Sequence, residues 1–225
     1  MSAASADPAG FIRRNTALHE PPLVPEVKLH LATEIVPIWQ MTEEELEKSG
    51  LPPPFWAFAW AGGQELSRYI LDNPEIVSGK NVLDFGAGSG LIGIAAAKAG
   101  AKFVLSADID NFAFEAIRIN ATSNGVTVEA TAEDLVGVEN RGWEVILVGD
   151  MCYERPLAER IEAWLRRLAG EGVTVLIGDP GRTYLPKTGL EKIISYAVMT
   201  TRELEDTDVR NTSVWRVLPG LSVQI

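Results

Sequence analysis

Cysteine and histidine are scarce in this chain, which has one cysteine and two histidines among its 225 residues. Because Cys152 is alone, an internal disulfide and a cysteine-based zinc site are both excluded. His19 and His30 have no carboxylate beside them at metal-ligand spacing. We therefore predict that the protein uses no metal ion.

Basic residues and long apolar runs are also lacking. Lys and Arg number 20 against 31 Asp and Glu, which gives a formal charge of −11. This charge repels phosphate backbones and anionic membranes, so we expect neither a nucleic acid nor a membrane as partner and favour a basic one. No apolar segment is long enough for a membrane span, and the N-terminus has no apolar signal core. Since Arg13 and Arg14 beside Asp7 give little support to organelle import, we expect a cytoplasmic protein.

The first 45 residues differ from the rest of the chain. Five prolines in this segment preclude a long helix, namely Pro8, Pro21, Pro22, Pro25 and Pro37. We interpret residues 1–45 as an arm that is partly disordered and residues 46–225 as the folded domain. Within the arm, the strand-like residues 28–31 are expected to pack on the domain or to pair as an edge strand. Thr42 with three following glutamates predicts the start of a short helix.

From Lys80 onward, short apolar segments alternate with helical patterns. The predicted strands are 82–85, 103–106, 126–130, 145–148 and 173–177, and the predicted helices are 91–99, 111–123 and 155–169. Two more strands, 197–202 and 213–218, are joined by a polar loop. Five strand–helix units and a hairpin predict an α/β fold, a three-layer sandwich with a Rossmann-like, seven-stranded, mainly parallel sheet and an antiparallel C-terminal hairpin. A ligand is expected at the carboxyl ends of the strands.

The glycine-rich segment 84–90 is the most informative part of the sequence. Gly88, Gly90 and Gly93 form a G-x-G-x-x-G pattern, which alone is weak support for a dinucleotide site. Asp84 at the strand exit argues against that interpretation, because a carboxylate there repels a pyrophosphate. It suits a ligand that carries an ammonium or sulfonium group. Gly86, Gly88 and Gly90 are then predicted to surround that ligand.

Two more aspartates follow the next two strands. Asp108 is placed to accept hydrogen bonds from ribose hydroxyls, and Asp134 from an adenine amino group, although the neighbouring Glu133 is an alternative. A cationic molecule that contains adenosine and fits all three aspartates is S-adenosylmethionine. The competing interpretation is that these aspartates only cap helices.

The residues around the fourth predicted strand resemble a known family. Residues 82–90 resemble the first motif of seven-strand, class I methyltransferases, and Asp150-x-x-Tyr153 resembles the signature of the protein-lysine methyltransferases among them. Segments 54–64, 149–154 and 177–182 are similar to the electron transfer flavoprotein beta-subunit lysine methyltransferases. The resemblance covers about residues 28–219. Ala61 departs from it, since relatives have proline at that position.

The resemblance implies a protein-lysine N-methyltransferase domain over 46–225 that uses S-adenosylmethionine and modifies the beta subunit of the electron transfer flavoprotein. Asp150 is then expected to orient the acceptor amine, and Tyr153 to form one wall of the lysine channel. Trp60 is expected over the cofactor or over the lysine stem, where an aromatic face attracts a cation. Arg182 is expected to contact the protein substrate or only to shape its loop. The enzyme is expected to be a monomer.

Other functions remain open from the sequence. One is a nicotinamide-dependent dehydrogenase that uses the glycine pattern. Another is a methyltransferase that acts on a different protein, such as a ribosomal protein, or on a small molecule. The last is an adaptor that binds the cofactor without catalysis.

Overall fold

The computed structural model describes residues 7–32, 53–200 and 205–220. The predicted helix start at Thr42 lies outside these residues. The helices are α1 (Pro8–Asn15), α2 (Ala61–Asp72), α3 (Leu91–Lys98), α4 (Asn111–Ser123) and α5 (Arg155–Gly170), with 3₁₀ turns at Phe55–Ala57 and Pro74–Ile76. The strands are β1 (Ala17–His19), β2 (Leu29–Leu31), β3 (Asn81–Phe85), β4 (Phe103–Ala107), β5 (Glu129–Thr131), β6 (Val145–Gly149), β7 (Thr174–Asp179), β8 (Leu190–Met199) and β9 (Val209–Val217).

Seven strands form the central sheet in the order β5-β4-β3-β6-β7-β9-β8. Strands β3 to β7 pair with one another in parallel. Strand β9 is antiparallel to both β7 and β8. The predicted fold class is therefore confirmed. Because the strand order reverses between β3 and β6, a crevice is expected there at the carboxyl edge.

Successive residues of the central strands point to opposite helical layers, as the period of a strand requires. Leu83 and Ile146 pack with Trp164 and Leu165 of α5, while Val82 packs on the opposite face with α2 and α3. Helix α5 is amphipathic, and its apolar side forms the larger core cluster. None of the helices in the described ranges is long and apolar enough to cross a membrane.

The number of strand–helix units was predicted wrongly. Helices follow β3, β4 and β6, but residues 132–144 and 180–189 connect their strands without a helix. The first of these loops is held by side chains that bond nearby backbone, since Asp134 accepts from Val136 N–H at 3.0 Å and Asn140 from Trp143 N–H at 2.8 Å. Such local bonds compete with helix formation.

The bounds of three strands also differ from the prediction, and one of them is β9, which begins at Val209 and not at the predicted residue 213. Strand β5 begins only at Glu129, because Val126 N–H instead donates to Ala121 O at the end of α4. Strand β8 begins at Leu190, well before the predicted residue 197. It is an edge strand with exposed polar residues, so its sequence lacks the apolar alternation that marks a half-buried strand.

Residues 7–32 of the N-terminal arm pack against the domain. Asp7 caps α1 by accepting from Gly10 N–H at 2.9 Å, and Ile12 is fully buried beside Trp56. Strands β1 and β2 form a separate antiparallel pair. Asn120 of α4 holds that pair by accepting from His30 N–H at 2.7 Å. The strand expected at 28–31 is present, but it pairs within the arm and not with the central sheet.

Candidate active site

A cavity of about 430 Å³ opens at the carboxyl ends of β3, β4 and β6, where the strand order reverses. Its volume is typical of a small-molecule site. Of the predicted site residues, most line this cavity, namely Trp60, Gly86, Gly88, Asp108, Asp134, Asp150 and Tyr153. Among the described residues, five acidic side chains but only two arginines contribute to its wall.

The glycine loop has a left-handed backbone at each predicted position. The φ angles are 68° at Gly86, 50° at Gly88 and 80° at Gly90, a region that L side chains rarely adopt. At Gly86, a Cβ atom would also meet Met151 Sδ at 2.3 Å. Gly86 and Gly88 therefore bring backbone to the cavity wall, whereas Gly90 begins α3 and does not line the cavity.

Asp84 occupies a different place from the one expected. It is fully buried below the loop and does not line the cavity. Its Oδ2 accepts hydrogen bonds of 2.9 Å from Gly93 N–H and from the Ser106 hydroxyl. Burial raises the pKa of this carboxyl to about 7. Asp84 thus joins β3, β4 and the start of α3 from below, and its contact with a ligand stays a prediction.

Asp108 lies in the cavity wall at the end of β4. Its Oδ2 accepts from Gly88 N–H at 2.9 Å, and its Oδ1 from Asp110 N–H at 3.0 Å. Burial raises the pKa of Asp108, although both backbone N–H groups oppose that rise. These bonds use one lone pair of each oxygen and fix the carboxylate, so the others can accept bonds from a ligand's hydroxyl groups.

Asp134 and Glu133 both line the cavity at its exposed side. Asp134 pairs with Arg160 at 3.3 Å, and Glu133 with Arg141 at 2.5 Å. The geometry therefore leaves both acids as candidates for a contact with a base.

Asp150 follows β6 with a φ of 57°, which is unusual for a residue other than glycine. Only 8% of its surface is exposed. Its Oδ2 accepts from Gly63 N–H at 3.0 Å, and its Oδ1 from Arg182 Nε at 3.0 Å and from Arg182 Nη2 at 2.6 Å. Oδ2 keeps one lone pair for a further bond, and a strained backbone at a buried carboxylate in a cavity is typical of a functional residue.

Arg182 is the residue whose position the sequence did not reveal. Its guanidinium also contacts Glu205 at 3.2 Å and lies over the Trp60 ring, 5.5 Å from the centroid. Asp179 at the end of β7 forms the turn that leads to it, accepting from Gly181 and Arg182 N–H at 2.7 Å each. The turn sequence Asp179-Pro180-Gly181 is the only local signal for this placement.

Burial governs the titration of the acids around Arg182. It raises the pKa of Asp150, Asp179 and Glu205, while the charge of Arg182 lowers the pKa of each. The Arg182 guanidinium thus favours the ionised form of all three carboxyls, and Arg210 also favours that of Glu205.

Aromatic rings border the outer part of the cavity. Phe55 lies with its ring centroid 5.6 Å from that of Tyr153 and 5.9 Å from that of Trp60. Trp60 Nε1–H donates to Phe55 O at 3.0 Å, which fixes the indole. Since Tyr153 remains 43% exposed, its ring is accessible to a partner at the mouth.

Cys152 and Tyr184 also lie near the site. Cys152 is buried, as expected of a small core residue, and burial raises the pKa of its thiol to about 12. Tyr184 is 40% exposed, and its N–H donates to Cys152 O at 3.2 Å. Within the described ranges, no group of three or more His, Cys, Asp or Glu residues is placed to hold a metal ion.

Relatives align along almost the whole chain. The electron transfer flavoprotein beta subunit lysine methyltransferase of Xenopus laevis is 39% identical over 218 residues, covering 94% of this chain and 87% of that protein. The protein of that name from Homo sapiens is 35% identical over 219 residues, covering 93% and 81%. This chain belongs to the same family. Residues 65–178 of this methyltransferase also match the family described as Ribosomal protein L11 methyltransferase (PrmA).

Solved structures share the fold of this methyltransferase. The ribosomal protein L11 methylase of Lactobacillus delbrueckii subsp. bulgaricus has a TM-score of 0.51 at 20% identity, over 72% of this chain and 81% of that one. Magnesium protoporphyrin IX methyltransferase from Synechocystis PCC 6803 with bound SAM has a TM-score of 0.52 at 15% identity, over 70% and 78%. At these identities the likeness shows the fold alone.

Proposed function

We propose that the chain is a protein-lysine N-methyltransferase that transfers a methyl group from S-adenosylmethionine to lysines of the electron transfer flavoprotein beta subunit. The observation that carries this proposal is the buried carboxylate of Asp150 in the cavity, 2.6 Å from Arg182 and beside the aromatic mouth formed by Phe55, Trp60 and Tyr153. Family relatives named for this reaction give the acceptor.

The residues of the cavity fit the cofactor. Gly86 and Gly88 leave backbone exposed to an adenosine and methionine moiety, and Asp108 offers free lone pairs to ribose hydroxyls. The acidic wall disfavours the pyrophosphate of a dinucleotide, since both lining arginines are already paired with Asp134 and Asp150. The dehydrogenase alternative is therefore not supported.

When bound, S-adenosylmethionine supplies an electrophilic methyl carbon, so that an N–C bond forms as the C–S bond breaks and its electron pair passes to sulfur. The acceptor lysine must lose its proton first, because free lysine has a pKa of about 10.4. Burial in the cavity favours the neutral amine. Asp150 is assigned to accept a hydrogen bond from that amine and direct its lone pair, and then to help remove the proton of the product.

The aromatic mouth is assigned to the lysine stem. Tyr153 and Phe55 form two neighbouring walls, and Trp60 presents a ring face that already attracts the cation of Arg182. The net charge of −11 favours an approaching segment rich in Lys and Arg through long-range attraction. That the enzyme is a monomer, is cytoplasmic and binds no nucleic acid stays a prediction.

The test is a methylation assay with labelled S-adenosylmethionine and purified electron transfer flavoprotein, followed by mass spectrometry of the beta subunit. Label on lysines of that subunit is expected. Asp150→Asn should reduce the rate about 10²–10⁴-fold while S-adenosylhomocysteine still binds, as calorimetry will show. The exposed Glu154, whose side chain makes no capping bond, provides the matched control, and Glu154→Gln should retain the rate.

Two outcomes contradict the proposal. Absence of label on the beta subunit, with S-adenosylhomocysteine bound, removes this substrate. The match to the ribosomal protein L11 methyltransferase family makes L11 the alternative acceptor for the same assay. An unchanged rate in Asp150→Asn removes the assigned role of that carboxylate.

A further inference from the structure

Arg182 forms the centre of a buried charge cluster behind the aromatic mouth. The side chains of Arg182, Asp150 and Glu205 are 19%, 8% and 3% exposed. Arg182 donates from Nε and Nη2 to the same Asp150 oxygen, and Nη2 also donates to Glu205. The guanidinium thus fixes one oxygen of Asp150 from two directions.

Each member of the cluster is held by a separate part of the fold. Gly63 N–H of α2 holds the other oxygen of Asp150, at 3.0 Å. Asp179 of β7 holds the turn of Arg182, and Glu205 precedes β9. The Asp150 carboxylate is thus held by groups from the sheet and from one helical layer, and Arg182 makes two of its three hydrogen bonds.

The charge balance of the cluster disfavours displacement of Arg182. Glu65, Asp150, Asp179 and Glu205 are all buried, and Arg182 is the cation that contacts two of them. Removing one partner of a buried pair is strongly unfavourable, because it leaves an uncompensated charge. An acceptor lysine cannot replace that charge, since it must be a neutral amine when it reacts.

We propose that Arg182 is a positioning residue for methyl transfer, which holds one oxygen of Asp150 and so aims its carboxylate at the acceptor amine. This inference rests on the proposed function for the identity of the acceptor. The coupling between Arg182 and Asp150 can be measured without an acceptor protein.

The groups that face Asp150 determine how its titration responds. Arg182 and the Gly63 N–H favour the charged form of Asp150, whereas the charge of Asp179 raises its pKa. The charge of Asp150 in turn raises the pKa values of the other acidic groups nearby, which are Glu65, Cys152 and Glu205. Burial already raises the pKa of Asp150, and loss of the arginine raises it further. In Arg182→Gln, Asp150 should therefore take up its proton at a higher pH.

The experiment compares wild type, Arg182→Gln and Arg182→Lys in methylation of the electron transfer flavoprotein across a range of pH. For Arg182→Gln, kcat should fall about 10–100-fold, and the acid limb of its pH profile should move to higher pH. Arg182→Lys keeps the charge but loses the fork of donors, so kcat should fall less and the acid limb should stay near that of wild type. Arg118→Gln removes an exposed pair with Glu115 and serves as the control.

A second measurement does not depend on the substrate. Carbon-13 NMR of labelled aspartate follows the Asp150 carboxyl, identified by the signal that Asp150→Asn lacks. Its titration should move to higher pH in Arg182→Gln and not in Arg118→Gln. Calorimetry with S-adenosylhomocysteine, expected to change less than about twofold, reports that the cavity is intact.

Several results overturn the inference. One is an Arg182→Gln enzyme whose kcat, pH profile and Asp150 titration equal those of wild type. Another is a higher kcat or lower KM, which identifies Arg182 as an obstacle that the lysine displaces. If wild type fails to methylate the flavoprotein, the proposed function is wrong. If the titration of Asp150 does not shift in Arg182→Gln, the coupling between Arg182 and Asp150 is wrong, whatever the substrate is.

Discussion

Replacing Gly62 by alanine tests how closely the start of α2 must approach β7. A Cβ atom at Gly62 would lie 2.2 Å from Gly178 O and 2.7 Å from Asp150 Oδ2. Real Cβ atoms essentially never approach other heavy atoms within 3.0 Å, so the helix or the strand must shift. The neighbouring Gly63 is different, because its Cβ atom would meet only Leu91 Cδ2, at an ordinary 3.9 Å.

The two substitutions should change stability in opposite directions. Overpacking against rigid backbone costs about 1–3 kcal/mol, whereas alanine in a helix gains up to about 1 kcal/mol over glycine. For Gly62→Ala the net loss is about 1–2 kcal/mol, which lowers Tm by about 2–8 °C in a chain of this size. For Gly63→Ala the gain raises Tm by up to about 4 °C, since its N–H bond to Asp150 is kept.

Thermal unfolding and methylation kinetics of the two variants check this reasoning. Because the shift in Gly62→Ala displaces Asp150, kcat should fall as well, while S-adenosylhomocysteine binding changes little. Gly63→Ala should retain kcat within a few-fold. Equal Tm values for the two variants, or a more stable Gly62→Ala, would refute the close approach of α2 to β7 as the cause.

Two more predictions follow from the acids. Asp108→Ala should weaken S-adenosylhomocysteine binding about 10–150-fold by calorimetry, the value of a hydrogen bond to a charged group, and more than the exposed and ion-paired Asp134→Ala does. Burial raises the pKa of Glu65 from 4.5 to about 8. Between these pH values Glu65 holds a proton in the folded chain that it has lost in the unfolded chain, so the free energy of unfolding falls as pH rises through this range. Glu65→Gln can still accept a hydrogen bond from the Thr212 hydroxyl. In urea unfolding, its free energy of unfolding should match that of wild type near pH 4.5 and exceed it by a few kcal/mol near pH 8.5. An equal difference at both pH values contradicts this prediction.

The sequence allows the parallel part of the sheet to be predicted because both of its faces are buried. Val82 and Leu83 of β3 belong to opposite core clusters, and the residues from Val145 to Val148 of β6 are all buried, so these strands carry adjacent apolar residues that face both helical layers. Helix α4 was predicted with its observed bounds, since Asp110 caps it and Asn124-Gly125 ends it. The edge strand β8 has neither two buried faces nor a cap that marks its bounds, and its partner β9 lies farther along the chain.

Site residues were predictable where the chain's backbone itself carries the signal. The positive φ of Gly86 and Gly88 follows from residue type, and the end of a parallel strand places Asp108 and Asp150 at the cavity. Long-range side-chain pairs were not predictable, and the contact of Arg182 with Asp150 spans 32 positions in sequence. A carboxylate at a strand end also does not reveal whether it faces the ligand, and Asp84 faces the protein.

The place of β9 in the sheet determines when the site can be completed during folding. Strand β8 precedes β9 in the chain, and among the described strands it pairs with β9 alone, so it has no template until β9 has docked on β7. The parallel strands can assemble earlier from contacts that are closer in sequence. Glu205 and Thr212, which reach Arg182 and Glu65, arrive with this last step. The part of the cavity that β3, β4 and β6 form can therefore assemble before Glu205 reaches Arg182, so we expect the charge cluster behind the aromatic mouth to be completed last.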